Sequence, residues 1–357
     1  MEKIKLCICG GGALGHVTAG FLSAGNKAEI NILTTKPEQW SHAVELVDPD
    51  NKRLKGSINR ISDDPGMVVP GCDIVLLCLP GFAIENELRK ISPYLSAYQY
   101  IGSVVSSTGF FFMARDILPD DARLFGFQRV PFIARVNEYG KSAYLLGYKK
   151  ELKVAGYNIP DMDRLSALLS ELFNTPVTAL ENYLEAALSN SNPLLHTVRL
   201  FSLFRDYVPG MVYPKHYLFY EEWDDHTSSL LLDCDNEFHK ILHALNISGN
   251  ANLPLLKYYK SEDAASLTNK IRSIKAFKGL KSPMIKIKEN EFVPNLKSRY
   301  FTEDFPYGLA ILKMIADKCN VAVPQIDKVL DWGKKIIGDS LFDESYFSLS
   351  RQKNLKL

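Results

Sequence analysis

Ile4-Lys5-Leu6-Cys7-Ile8-Cys9-Gly10-Gly11-Gly12-Ala13-Leu14-Gly15 is the stretch that decides the fold. Six residues rich in strand formers run into a Gly-x-Gly-x-x-Gly turn, and a helix-like segment follows from Val17 to Leu22. This pattern is the opening βα unit of a dinucleotide-binding fold, and each glycine has its own reason to be there. Gly10 permits the tight turn, Gly12 lets the backbone approach a pyrophosphate, and Gly15 allows the helix to pack closely on the strand. Ala13 and Leu14 open the helix, whose free N–H groups and positive dipole end suit the phosphates. Three glycines alone describe any glycine-rich turn. A strand before, a helix after and a second strand at the right distance make a cofactor site the better reading.

Working outward, a second strand reads Ala28 to Thr34, and a third lies near Ile58 to Ile61 or around Met67-Val68-Val69. Cys72 to Leu79 is a continuous apolar run after a polar start, as expected of a strand buried on both faces. Leu79 and Pro80, where that strand ends, join the expected cofactor contacts. Tyr100 to Val105, Leu124 to Phe127 and Ala143 to Gly147 complete the series. Strands interleaved with helical stretches imply a mostly parallel, doubly wound Rossmann-like α/β sheet. Beyond about residue 180 the character changes. Tyr183 to Phe204, Thr227 to Leu245, Ala264 to Ile274, Leu309 to Cys319 and Ile326 to Ile337 read as helices, and strand-like runs are scarce. The expected division is a dinucleotide-binding domain over 1–178 and a helical substrate domain over 179–357, with the active site in the cleft between them.

Composition narrows the function classes. At 357 residues the chain can bury two cores, and 46% hydrophobic with 23% charged residues is the balance of a globular protein. A net charge of +1 without a dense basic cluster argues against a nucleic-acid surface. No apolar run approaches the roughly 20 residues of a membrane span. The N-terminal segment reads as a strand feeding a functional turn and not as a cleavable leader. Six cysteines (Cys7, Cys9, Cys72, Cys78, Cys234, Cys319) show no zinc spacing, so reduced, mostly buried thiols, no metal and a cytoplasmic setting are expected.

The end of the second strand bears on which dinucleotide is held. An acidic residue there would hold a ribose 2′-hydroxyl, but the chain reads Leu33-Thr34-Thr35-Lys36, and Glu29, read as the only nearby acid, sits at the wrong end. Thr35 and Lys36 suit a 2′-phosphate better than a bare diol, against the plainer reading that they are ordinary polar loop residues. NADP(H) is the preferred expectation, with NAD the alternative.

Two constellations in the second half carry candidate chemistry. In Asn192-Pro193-Leu194-Leu195-His196, a helix puts Asn192 and His196 on one face, with Asn192 as a cap or Pro193 as a kink in a longer helix. A capping Asn and a packed His would account for these residues without function, although His is the commonest acid/base near neutral pH. In Ser298-Arg299-Tyr300-Phe301-Thr302-Glu303-Asp304-Phe305-Pro306-Tyr307-Gly308-Leu309, the polar residues could cap a helix starting near Phe305. Alternatively, Asp304 accepts an N–H from His196 and Arg299 offers its planar fork to a carboxylate or phosphate. The aromatic stretch Tyr207 to Trp223 reads as core packing in preference to a pocket lining.

With these residues in order, the chain resembles the opine dehydrogenase family of the octopine/nopaline type. Gly10, Gly12 and Gly15, the Asn192-x-x-x-His196 segment, and Arg299 five residues before Asp304 in a Thr-Glu-Asp-x-Pro-x-Gly-Leu context match its pattern over essentially the whole chain. The resemblance implies an all-α C-terminal domain of the 6-phosphogluconate-dehydrogenase-like type. It implies NAD(P)H-dependent reductive condensation of an amino acid with an α-keto acid such as pyruvate. It assigns His196 as acid/base, Asp304 as its partner, Arg299 to a cofactor pyrophosphate or substrate carboxylate, and Asn192 and Gln128 to the substrate. The partners expected are small molecules, with no nucleic acid and no membrane, and a homodimer is the assembly to look for. A ketopantoate-reductase-like or 2-hydroxy-acid dehydrogenase reading shares the fold plan but would need a Lys early in the second domain. None occurs between Lys153 and Lys215. A catalytically idle NADP-binding sensor would keep the glycines and need not keep the His, Arg and Asp.

Overall fold

The computed structural model describes residues 3–25, 27–247, 252–343 and 347, so the tail of the expected second domain, 344–346 and 348–357, lies outside the described residues. Two compact units result, the first ending at Ser189 and the second starting at Asn190.

The first unit opens with β1 (Ile4–Cys9), α1 (Ala13–Ala24), β2 (Ala28–Leu33), β3 (Ala43–Val47) and β4 (Arg53–Ser62). It continues with α2 (Pro65–Val68), β5 (Ile74–Leu77), α3 (Gly81–Ile91), β6 (Tyr100–Ser103), α4 (Phe110–Ile117) and β7 (Arg123–Phe127). β8 (Phe132–Glu138), β9 (Ser142–Tyr148), β10 (Leu152–Tyr157), α5 (Met162–Phe173), β11 (Val177–Ala179) and α6 (Tyr183–Ala187) close it. All eleven strands join one sheet in the order β11-β10-β7-β6-β5-β1-β2-β4-β3-β9-β8. Its middle, β7-β6-β5-β1-β2-β4, is wholly parallel and follows the doubly wound order, reversing direction at β1. Ligands of such sheets bind outside the strand carboxyl ends at that reversal, where the glycine turn lies. β1, β5 and β6 are buried almost throughout, as strands covered on both faces should be.

Several expectations needed adjustment. Of the two candidates for the third strand, Ile58 to Ile61 is correct and lies in β4. Met67, Val68 and Val69 instead belong to a helical turn, because Pro65 is pre-set for a first helical position and Asp64 Oδ1 accepts from Gly66 N–H at 2.8 Å. The antiparallel hairpin β3–β4 and the edge pair β8–β9 enlarge the parallel sheet. By its contacts the first unit extends to Ser189, eleven residues past the boundary expected at 178. β11 pairs with β10 and α6 packs on β10, which keeps residues 177–189 with the sheet.

The second unit holds α7 (Asn192–Phe204), α8 (Asp225–Ala244), α9 (Leu255–Tyr259), α10 (Ala264–Ser273), α11 (Arg299–Thr302), α12 (Ala310–Lys318), α13 (Pro324–Ile337) and α14 (Asp339–Asp343). A two-stranded hairpin, β12 (Met284–Lys288) and β13 (Glu291–Pro294), is its one addition to a helical plan among the described residues. The helix read as Tyr183 to Phe204 is broken between Ala187 and Asn192, with Pro193 in the first turn of the second piece, where its missing N–H costs no helical bond. Asn192 is therefore the first helical residue and not the cap. Ser191 holds the cap position, and Asn190 Oδ1 accepts from Asn192 N–H at 3.1 Å.

Candidate active site

The glycine turn has the geometry its sequence suggests. Gly10 takes φ of +119°, where a Cβ would lie 2.7 Å from the Cys78 carbonyl oxygen and 2.8 Å from Leu79 Cδ2. A Cβ on Gly15 would collide with the Gly10 carbonyl, so only glycine lets α1 approach β1 this closely. Gly12 is the contrast, with nothing within 4 Å of an added Cβ. It is exposed, caps α1 without a side-chain bond, and leaves the first N–H groups of Ala13 and Leu14 open. That is a cradle a side chain would fill, and it fits a dinucleotide pyrophosphate. Leu79 and Pro80, half-buried, follow β5 beside Gly10, with Pro80 capping α3.

Beside the cradle lies the end of β2. Thr34 is buried, whereas Thr35 and Lys36 are exposed. Glu38 follows in a short 3-10 turn, its carboxylate accepting from Gln39 Nε2. It is a second nearby acid, and corrects the reading that Glu29 was alone; Glu29 itself accepts from Asn59 at 2.9 Å. The β8–β9 tip folds over this corner, which the sequence did not disclose. Tyr139 Oη lies 3.5 Å from Thr34 Oγ1, and Lys36 Nζ lies 5.7 Å from the Tyr139 ring centre. His16 fastens the arrangement. Its Nδ1–H donates to the Gly12 carbonyl at 2.9 Å and its Nε2 accepts the Gly140 N–H at 2.6 Å. Burial holds this imidazole below its usual protonation range, which keeps Nε2 an acceptor.

In the second unit, His196 and Asp304 meet. His196 Nδ1 lies 2.8 Å from Asp304 Oδ2, across 108 residues of chain. The carboxylate can only accept, so Nδ1 carries the proton and a neutral ring presents Nε2 as an acceptor. The side chains are 13% and 18% exposed, screened from bulk water yet reachable. Asp304 sits at the N-cap position of a π-helical turn, Phe305–Leu309, but its carboxylate makes no capping bond there. The choice between cap and histidine partner is thus settled for the histidine. The motif around it explains the meeting. Pro306 opens the turn, the backbone departs from helix at Tyr307, and a Cβ on Gly308 would lie 2.6 Å from Pro193 Cγ. Without a side chain at 308, the first turn of α7 can approach the π-turn and bring His196 onto Asp304.

The imidazole is enclosed by the rings of Tyr300 (4.7 Å) and Phe219 (5.7 Å), and its Nε2 lies 3.0 Å from Tyr220 Oη. The reading of residues 207–223 as core holds for Tyr213, Phe219 and Trp223, all buried. Tyr220 is buried as well, yet its hydroxyl addresses the histidine, and no sequence signal separated it from its neighbours. Arg299 is exposed at the start of α11, and its guanidinium makes no ion pair with a described residue. Asn192 is exposed one turn before His196. Gln128 belongs to the first unit. It follows β7, half-buried, its N–H donating to the Lys153 carbonyl and its own carbonyl accepting from Ser189 Oγ. Among the described residues no cluster of His, Cys, Asp and Glu could hold a metal ion, and no helix is long and apolar enough to cross a membrane.

Residues 179–337 match the family model for the α-helical domain of NAD/NADP octopine/nopaline dehydrogenase. The chain is 30% identical to octopine dehydrogenase of Pecten maximus, covering 94% of this chain and 90% of that one. It is 27% identical to opine dehydrogenase of Haliotis discus hannai, covering 95% and 92%. The structure of an octopine dehydrogenase with NADH and L-arginine superposes with a TM-score of 0.85 at 26% identity, covering 98% of this chain and 96% of that one. The chain therefore belongs to the opine dehydrogenase family, nicotinamide-dinucleotide-dependent oxidoreductases that act on CH–NH by reductive condensation of an amino acid with a keto acid.

Proposed function

We propose that this chain makes an opine from an amino acid and a small α-keto acid, with NADPH preferred over NADH and with His196 as the acid/base. The 2.8 Å contact between His196 Nδ1 and Asp304 Oδ2 carries the proposal, because it fixes the tautomer and directs Nε2 to the chemistry. Gly10, Gly12, Ala13, Leu14 and Gly15 would hold the pyrophosphate, and Leu79 and Pro80 would line the same end of the sheet. Thr35 and Lys36 would receive a 2′-phosphate, which their exposure supports. When bound, the dinucleotide supplies hydride to the C=N carbon. Arg299, exposed and without an ion-pair partner among the described residues, is suited to a substrate carboxylate or the pyrophosphate, and Asn192 and Gln128 to polar contacts with the substrate. Protonated His196 would assist loss of the carbinolamine hydroxyl as water, with Asp304 stabilising the charge. The free cysteines, five of them buried, support a cytoplasmic setting.

The test is cofactor oxidation with pyruvate or 2-oxoglutarate across a panel of amino acids, with NADPH and NADH in parallel and keto-acid-only controls. Oxidation that needs both an amine and a keto acid, faster with NADPH, is expected. Oxidation with the keto acid alone would move the chain to the simple reductases.

A further inference from the structure

Both nitrogens of the His196 imidazole are already engaged. Nδ1–H donates to Asp304, and Nε2, the nitrogen that must exchange a proton, lies 3.0 Å from Tyr220 Oη. A ring nitrogen offers one in-plane lone pair or one proton, so Nε2 serves one partner well at a time. Tyr220 is also poorly placed to step aside. It is 4% exposed, its ring stacks on Phe277 at 4.0 Å and 14°, and it lies parallel to Trp223 at 6.3 Å and 9°.

The backbone carrying it is anchored by Arg199, which lies three residues after His196 on α7 and is 1% exposed. Nε donates to the Phe219 carbonyl at 2.7 Å, and Nη2 donates to those of Glu222 at 2.8 Å and Leu218 at 3.3 Å. Burial pulls this guanidinium down to about 10, still charged at neutral pH, and three carbonyls on one segment receive it. One helix thus holds both the imidazole and the clamp that sets the tyrosine against it. Packing alone would be met by Phe at 220.

Building on the reading of His196 as the acid/base, we propose that Tyr220 is a further catalytic residue, its hydroxyl passing the proton between His196 Nε2 and the substrate oxygen. Burial, reinforced by Tyr300, Tyr259 and Asp304, pushes the phenol upward, so it stays O–H and gives up its proton only while receiving another. In the condensation direction the phenolic O–H bond breaks as its proton reaches the departing hydroxyl of the carbinolamine. The Nε2–H of the imidazolium restores the phenol, leaving a neutral imidazole. The C–O bond breaks with its electron pair on oxygen, water leaves, and the nitrogen lone pair closes the C=N bond, now carrying the positive charge.

The experiment follows cofactor oxidation in a single turnover in mixtures of light and heavy water, for wild type, Tyr220→Phe and His196→Ala. Two protons in flight give the wild type a bowed dependence on deuterium fraction. Tyr220→Phe keeps the ring stack, should lose at least about tenfold in rate, and should give a straight dependence with unchanged NADPH affinity. In histidine labelled with ¹⁵N, the Nε2 resonance of His196 should move in Tyr220→Phe while Nδ1 stays. A straight wild-type dependence, or a Tyr220→Phe rate within about twofold of wild type, overturns the relay. The wild-type measurement needs no variant to fold. Full turnover in His196→Ala would instead overturn the acid/base reading beneath it.

Discussion

The glycine turn of the first unit and the His196–Asp304 pair of the second are built in opposite ways. The turn is assembled from twelve consecutive residues, Ile4 to Gly15, and its working parts are backbone: one left-handed φ, one close helix approach and one open cradle. The pair is assembled from side chains 108 residues apart, and depends on an absent side chain at Gly308 to let Pro193 in. A backbone device can be read from a short string because local geometry dictates its residues. A side-chain device is specified by tertiary packing, which local sequence records only as oddities such as a proline and a glycine in a helical region.

Breaking each device should therefore give different signatures. The largest effect is expected for His196→Ala, which should lose on the order of 10²–10⁴-fold in kcat while NADPH binding, measured by titration calorimetry, stays as in wild type. Next comes a pair of glycine variants. Gly12→Ala should raise the NADPH Kd by about tenfold or more without lowering the Tm, because its Cβ enters the cradle and touches nothing in the protein. Gly15→Ala should lower the Tm as well, since its Cβ meets the Gly10 carbonyl. Equal Tm losses in both would erase the distinction between cradle and packing. Gly308→Ala sharpens the comparison from the other side. An added Cβ 2.6 Å from a stiff proline ring must displace α7, so stability should fall by about 1–3 kcal/mol and kcat should fall with cofactor affinity intact. The smallest effect is expected at the exposed Lys36. Lys36→Ala should weaken NADPH by about fivefold and leave NADH unchanged, the scale of one solvent-screened phosphate contact.

The same contrast marks what could be read from the sequence. The parallel strands and the reversal at β1 follow from apolar runs and glycine spacing, which are local properties. The pairing of His196 with Asp304 was visible as one reading of two candidates, with a cap and a packed histidine as the plain alternatives, and the resemblance to a family assigned the same pair. Structure decided it by leaving the Asp304 cap bond unmade. Tyr139 and His16 were invisible because the β8–β9 tip reaches the glycine turn from more than a hundred residues away, and nothing in either segment signals the contact. The break before α7 was half legible: Pro193 announced a first turn, but the apolar residues on either side of it read as one continuous helix. Tyr220 was hidden among aromatics of identical pattern, where only the direction of one hydroxyl distinguishes it.

The measurement that tests the central claim most directly is the product itself. The protein would be incubated with NADPH, a ¹⁵N-labelled amino acid and a ¹³C-labelled α-keto acid, and the mixture analysed by mass spectrometry. A single secondary-amine dicarboxylate carrying both labels, formed in step with cofactor oxidation and absent in His196→Ala, is the predicted result. A ¹³C-labelled hydroxy acid without nitrogen, formed equally well when the amino acid is omitted, would contradict it.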